Sequence, residues 1–228
     1  MHALPSLEQR LRGYRSLVVL APHPDDEIFG CFGLIRLAQQ LGLEVEVHIA
    51  SDGERCFGAL PSSEDQTLRA ARQQESREAA ALLGYPAPQF WQLGDSQLME
   101  QTALLERQLQ NLWRADALYL APWRHDGHPD HEALAHCLRR IAAPEHCIYY
   151  PVWTLVDPPR RAQFFAQPQV HTLALAPGPL QLKKQAAGLF QTQFISPNAE
   201  EGSEAGAIIR EEFLAAFTQE NEYYLDET

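Results

Sequence analysis

Short apolar runs and longer helix-patterned stretches take turns along the chain from Arg15 onward. The runs Leu17–Ala21, Val45–Ala50, Gln89–Leu93, Ala117–Ala121 and Cys147–Val152 have the composition of strands. Between them, Glu27–Leu41, Thr67–Leu83, Met99–Trp113 and His131–Ile141 carry helical spacing, and Gly42 and Gly84 stand where a helix would stop. Such alternation predicts βαβ units, with helices covering both faces of a mostly parallel sheet. The expected fold is α/β: a Rossmann-like three-layer sandwich, doubly wound as far as Ala121.

Beyond Val152 the pattern weakens. Pro158-Pro159, Pro168 and Pro177-Gly178-Pro179 interrupt it, leaving helical stretches at Leu180–Phe190 and Glu211–Phe217 within an irregular C-terminal elaboration. No repeat, low-complexity segment or long charge run marks a second unit, so residues 1–228 read as one domain. The composition, 45% hydrophobic and 21% charged, supports a buried core. Eighteen Lys and Arg against thirty Asp and Glu give a net charge of −12, which argues against a nucleic-acid or anionic-membrane partner. The apolar run Leu17–Pro22 is far shorter than the roughly 18–20 residues of a membrane span and has no leader pattern around it, so a soluble, cytoplasmic protein is expected. Cys31, Cys56, Cys137 and Cys147 form no C-x-x-C pair and suggest neither a zinc ribbon nor a disulfide scaffold.

Histidine and aspartate change the picture. Ala21-Pro22-His23-Pro24-Asp25-Asp26-Glu27 falls where the first strand gives way to the first helix, and open α/β sheets bind ligands at the carboxyl ends of their strands. One or two of these acids could simply cap the helix. Three consecutive acids beside a histidine repel one another unless a proton or a cation intervenes. The spacing His23-x-x-Asp26 does not by itself separate a metal ligand from a cap. A second segment, His125-Asp126-Gly127-His128-Pro129-Asp130-His131, follows the fourth strand and therefore lies on the same sheet edge. Imidazoles and carboxylates together suit a divalent transition metal, and two histidines with one carboxylate leave positions open for water and substrate.

The HPDDE and HPDH segments, with Ser51-Asp52-Gly53-Glu54 after the second strand, resemble the LmbE-like (PIG-L) family of zinc-dependent N-deacetylases. Members hydrolyse the acetamide of N-acetylglucosamine in small glycosides, glycolipids or polysaccharide precursors. Arg72-x-x-Glu75, Leu83-Gly84, Gly94-Asp95 and Lys184 ahead of Thr192-Gln193 extend the resemblance over nearly the whole chain. It implies that His23, Asp26 and His131 bind Zn2+, a set that Fe2+ or Co2+ also suits. It makes Asp25 the general base and His128 the second catalytic group, with Asp130 holding the His128 ring and raising its pKa, or capping the helix. Arg72 and Asp95 match positions that contact sugar hydroxyls, although an arginine on a helix is more often a surface charge. Glu54 either supports the site from behind or caps a helix.

Two departures stand out. Cys31-Phe32-Gly33 replaces a Gly-Gly pair common in the family, and Asp126 occupies a position where some members have a tyrosine, leaving no phenol there for an oxyanion. Trp123 is a candidate for stacking on a sugar face, against the core placement more usual for an indole. The expected activity is removal of an N-acetyl group from a small amino-sugar substrate. The alternatives are an amidase for a larger acyl group or thiol conjugate, a metallophosphoesterase, and a carbohydrate-binding relative without catalysis. A dinucleotide binder ranks last, because no G-x-G-x-x-G follows the first strand.

Overall fold

The computed structural model describes residues 5–194 and 211–227. Strands β1 (Ser16–Ala21), β2 (Glu44–Ser51), β3 (Gln89–Leu93), β4 (Ala117–Pro122), β5 (Cys147–Tyr150), β6 (Val170–Ala174) and β7 (Asn221–Leu225) form one sheet in the order β3-β2-β1-β4-β5-β7-β6. β1 to β5 are parallel, and β7 runs antiparallel to both β5 and β6. The mixed α/β architecture is the one the alternating pattern predicts. β6 and β7 are an addition, and both mix polar with apolar residues; β6 is half-buried to exposed, whereas β7 buries Glu222, Tyr224 and Leu225.

Every residue of β1 and β4 is buried, as befits central parallel strands covered on both faces. Leu17, Val19 and Ala21 of β1 belong to one core cluster, while Val18 and Leu20 turn to the other. The helices in chain order are α1 (Leu7–Leu11), α2 (Asp26–Phe29), α3 (Phe32–Gln40), α4 (Ser62–Leu83), α5 (Thr102–Leu112), α6 (Pro129–Ile141), α7 (Pro158–Phe165), α8 (Pro177–Ala187), α9 (Gln191–Phe194) and α10 (Glu211–Phe217). Among the described residues, no helix is long and apolar enough to cross a membrane.

The expected helix Glu27–Leu41 is broken into α2 and α3 at Gly30-Cys31. The chain passes so close to β5 that a Cβ at position 30 would lie 2.2 Å from the Tyr150 ring, and the Tyr150 hydroxyl donates to Leu20 O at 2.9 Å. α8 starts at Pro177 rather than Leu180, since proline is tolerated in a first helical turn.

The C-terminal third is fastened to this first helical region. Lys183 Nζ of α8 donates to Glu222 Oε1 of β7 at 2.6 Å and to Phe29 O at 2.9 Å, and Glu222 Oε2 accepts from Gly33 N at 2.7 Å. Both charged side chains are almost wholly buried, so removing one partner alone would cost about 3–5 kcal/mol. α4 is informative in another way: Arg72 and Glu75 stand in the middle of its buried face, where a purely structural helix would be apolar.

Candidate active site

β1 lies between β2 and β4, so the chain leaves its two neighbouring strand ends in opposite directions, and a crevice opens beyond the carboxyl ends of β1 and β4. Both His/Asp segments reach this crevice. After β1, Pro22 and Pro24 flank His23 and fix the turn. Asp25 then adopts φ 121° and ψ −32°, a conformation that costs a non-glycine residue about 1–3 kcal/mol and clusters at functional sites. After β4, Gly127 with φ 97° turns the chain into α6, whose N-cap is His128 and whose first residue is Pro129.

Asp26 is the centre of the arrangement. Its Oδ2 accepts from His23 N at 3.0 Å and lies 3.3 Å from both His23 Nδ1 and His131 Nε2. A tetrahedral ion with bonds of about 2.0–2.1 Å sets its ligands about 3.3 Å apart, so these two spacings fit a shared cation. His23, His128 and His131 present nitrogens within 4.8 Å of one another, and His23, Asp95 and Asp130 form a second such group.

Carboxylates hold the far side of both imidazole rings. His131 Nδ1 lies 2.8 Å from Asp126 Oδ2, so that in the neutral ring the Nε2 lone pair is the one on the Asp26 side. His23 Nε2 lies 3.3 Å from Asp95 Oδ1 and from Asp130 Oδ2. Burial alone would lower the His131 pKa, but Asp26 and Asp126 outweigh it and raise it to about 9. His23 is likewise raised against burial, by Asp130, Asp26 and Asp95. Asp26 and Asp95 are held well below the usual carboxylate range; burial opposes this, but His131 and His23 dominate at Asp26, and His23 dominates at Asp95.

Asp130 departs from the role the resemblance implies. Its carboxylate accepts from Ser96 N at 2.7 Å and Leu98 N at 3.1 Å and faces His23, tying α6 to the loop after β3. Its own backbone N–H donates to His128 Nδ1 at 3.2 Å. The Asp130 carboxylate therefore does not hold the His128 ring, and its upward pull on the His128 pKa is outweighed. Burial, with repulsion from His23 and His131, pushes His128 down to about 4. With Nδ1 accepting from the Asp130 N–H, the neutral form of the ring carries its proton on Nε2.

Arg72 reaches in from α4, only 2% exposed. It donates to Gly53 O at 2.6 Å and Pro24 O at 2.7 Å, and its Nη2 lies 3.3 Å from Asp25 Oδ2. Burial raises the Asp25 pKa well above the usual range, and Arg72 opposes that rise. Asp95 Oδ2 accepts from Arg55 N at 2.7 Å, and Asp95 N donates to Glu54 Oε1 at 3.1 Å. Glu54 is itself buried and paired with Arg69 at 2.7 Å, so it braces the turn at Asp95 rather than facing the crevice.

A cavity of about 290 Å³ opens over these groups, lined by His23, Asp25, Asp26, Arg72, Asp95 and His128 on the polar side. Phe29, Trp153 and Phe213 form an aromatic side, with Trp153 stacked on His128 at 5.9 Å and 26°. Trp123 is a core residue, 1% exposed and packed on Phe164. Sequence reasoning missed Trp153, although it sits just past the β5 mouth, and it missed Asp126. The Asp126 carboxylate also accepts from Val152 N at 2.8 Å, Trp153 N at 3.0 Å and Thr154 N at 3.1 Å, so one side chain holds His131 and the loop carrying the aromatic wall.

An α/β fold with a His/Asp cluster at the switch point of a parallel sheet is the frame of a small-molecule enzyme site. The family described as PIG-L: GlcNAc-PI de-N-acetylase matches residues 18–142, more than half of the chain, and the chain belongs to that family. No curated protein sequence matches it. Among solved structures, the N,N'-diacetylchitobiose deacetylase of Pyrococcus horikoshii is similar, with 19% identity and a TM-score of 0.61 over 84% of this chain and 75% of that one. The zinc-inhibited form of the teicoplanin deacetylase Orf2 is similar at 13% identity, with a TM-score of 0.64 over 92% and 97%. The 4-carboxy-2-hydroxymuconate hydratase GalB of Pseudomonas putida KT2440 is also similar, at 18% identity and a TM-score of 0.53 over 78% and 80%. One fold thus carries two kinds of reaction, and function must be argued from the site.

Proposed function

We propose that the protein is a metal-dependent hydrolase that removes the N-acetyl group from an N-acetylglucosamine-type amino sugar. The observation that carries this reading is the single Asp26 oxygen 3.3 Å from the nitrogens of both His23 and His131, with the Asp25 carboxylate in the same cavity. His23, Asp26 and His131 would hold the ion, and the nitrogen-and-oxygen donor set suits zinc. A divalent ion bound there acts as a Lewis acid and acidifies water toward neutral pH.

The chain's own groups supply the rest. Asp25, buried and with a raised pKa, is the general base: it takes a proton from the attacking water and returns it to the departing amine nitrogen. His128 Nε2–H donates to the acetamide oxygen as negative charge develops on it, and needs no extra proton to do so. Arg72 orients Asp25 from behind. Trp153, Phe29 and Phe213 offer apolar faces to a sugar ring, while Asp95 and the exposed Arg55 stand on the hydroxyl side. A cavity of about 290 Å³ is at the small end of ligand sites, which supports an acetamide on one sugar ring over a bulky acyl group. The described cysteines are all free, in keeping with a reducing compartment.

The test is a panel of N-acyl glucosaminides of increasing acyl length, assayed with protein loaded at one zinc per chain and with chelated protein. Amine release should be greatest for acetyl and should vanish on chelation. Release that survives chelation, or that is greatest for a long acyl chain, would overturn the reading.

A further inference from the structure

We propose that Glu27 is a positioning residue: its carboxylate holds Asp25 in the strained backbone conformation that frees the Asp25 side chain for the cavity. The inference rests on the reading of Asp25 as the base.

Asp25 is the N-cap of α2, and an aspartate there ordinarily turns its carboxylate back onto the first helical N–H groups. Asp25 makes no such bond. Instead its own N–H donates to Glu27 Oε2 at 2.8 Å, so a carboxylate two residues on satisfies the turn. The Asp25 side chain is left to line the cavity beside Arg72. The bond resembles the backbone half of a capping box but comes one residue early, from N2, and no reciprocal bond from Asp25 accompanies it. α2 spans only Asp26–Phe29, so charge complementation of a helix gives little reason to bury an acid there. Yet Glu27 is 0% exposed.

The backbone gives the second line of support. Asp25 has φ 121°, and such outliers persist only where the surroundings over-determine them. Two restraints act on this turn from opposite sides. Arg72 grips the preceding carbonyl, Pro24 O, at 2.7 Å, and Glu27 grips the following N–H. Arg72 also reaches the Asp25 carboxylate, whereas the hydrogen bond to Glu27 comes from the Asp25 backbone.

The test compares Glu27→Gln, which keeps an acceptor at the same reach, with Glu27→Met, which keeps the length and removes it. An apolar side chain of similar volume in place of a buried acid should fold. Crystal structures of both variants, their zinc content and their steady-state constants are the readouts. Glu27→Gln should retain positive φ at Asp25 and kcat within about threefold of wild type. Glu27→Met should relax φ at Asp25 to negative values and lower kcat by about 100-fold, with KM and zinc content unchanged. In an Asp25→Asn background, Glu27→Met should cost nothing further. The proposal is overturned if Glu27→Met keeps φ near 121°, if Glu27→Gln is as impaired as Glu27→Met, or if the loss falls on KM. Should wild-type protein release no acetate at all, the deacetylase reading fails separately, and the backbone comparison alone decides the role of Glu27.

Discussion

At the scale of single residues, Asp126 shows how a side chain gains meaning from what surrounds it. From the sequence it registers as the absence of a phenol. In the structure it is fully buried, faces His131 and accepts three backbone N–H groups. Nothing in the local spacing H-D-G-H reveals the three backbone partners, because they come from the loop after β5. His23, Asp25, Asp26, His128 and His131 were legible because two short motifs hold them, and the structure brings all five together. Arg72 and Asp95 also reach the cavity, but each is engaged by protein groups. Asp126→Asn should weaken zinc affinity by about 10–100-fold, measured by competition with a chromophoric chelator. Unchanged affinity would mean that the His131 ring is oriented without Asp126.

At the scale of elements, β1, β4 and β5 were readable because continuous apolar runs are what strands covered on both faces require. β6 and β7 were not, because the edge strand β6 and β7 beside it mix polar with apolar residues and look like loop sequence. The break between α2 and α3 was also hidden, since its cause is Tyr150, far away in the chain. The Gly53 loop presents a similar long-range dependence. Gly53 has φ 64°, and a Cβ there would lie 1.8 Å from Arg72 Nη1. Gly53→Ala should displace the guanidinium from Pro24 O and Gly53 O, costing about 1–3 kcal/mol in urea unfolding and much of the activity. Gly58→Ala is the control: its φ is 82°, but nothing lies within 4 Å of the added Cβ, so only backbone strain of about 1 kcal/mol is expected, with activity kept. Equal effects of the two substitutions would refute the Arg72 anchor.

At the scale of the whole molecule, the site couples metal, protons and stability. His131 has its pKa raised from 6.5 to about 9 without metal. A histidine raised on folding stabilises the metal-free protein fully below pH 6.5, and that contribution fades as the pH rises through about 9. Metal requires the unprotonated ring, so ion uptake at pH 7 should release protons, and apparent affinity should climb between pH 6.5 and 9. Calorimetric titration in buffers of different ionisation heat measures the release, and an affinity flat across that range would contradict the pairing of His131 with Asp26 and Asp126. The most direct test of the central claim is acetate release from an N-acetylglucosaminide by Asp25→Asn protein that still binds one zinc per chain. The account expects kcat to fall by about 10²–10⁴-fold with metal content unchanged, while wild-type protein releases acetate and amine in equal amounts. Full activity in that variant, or no acetate from zinc-loaded wild type, would contradict it.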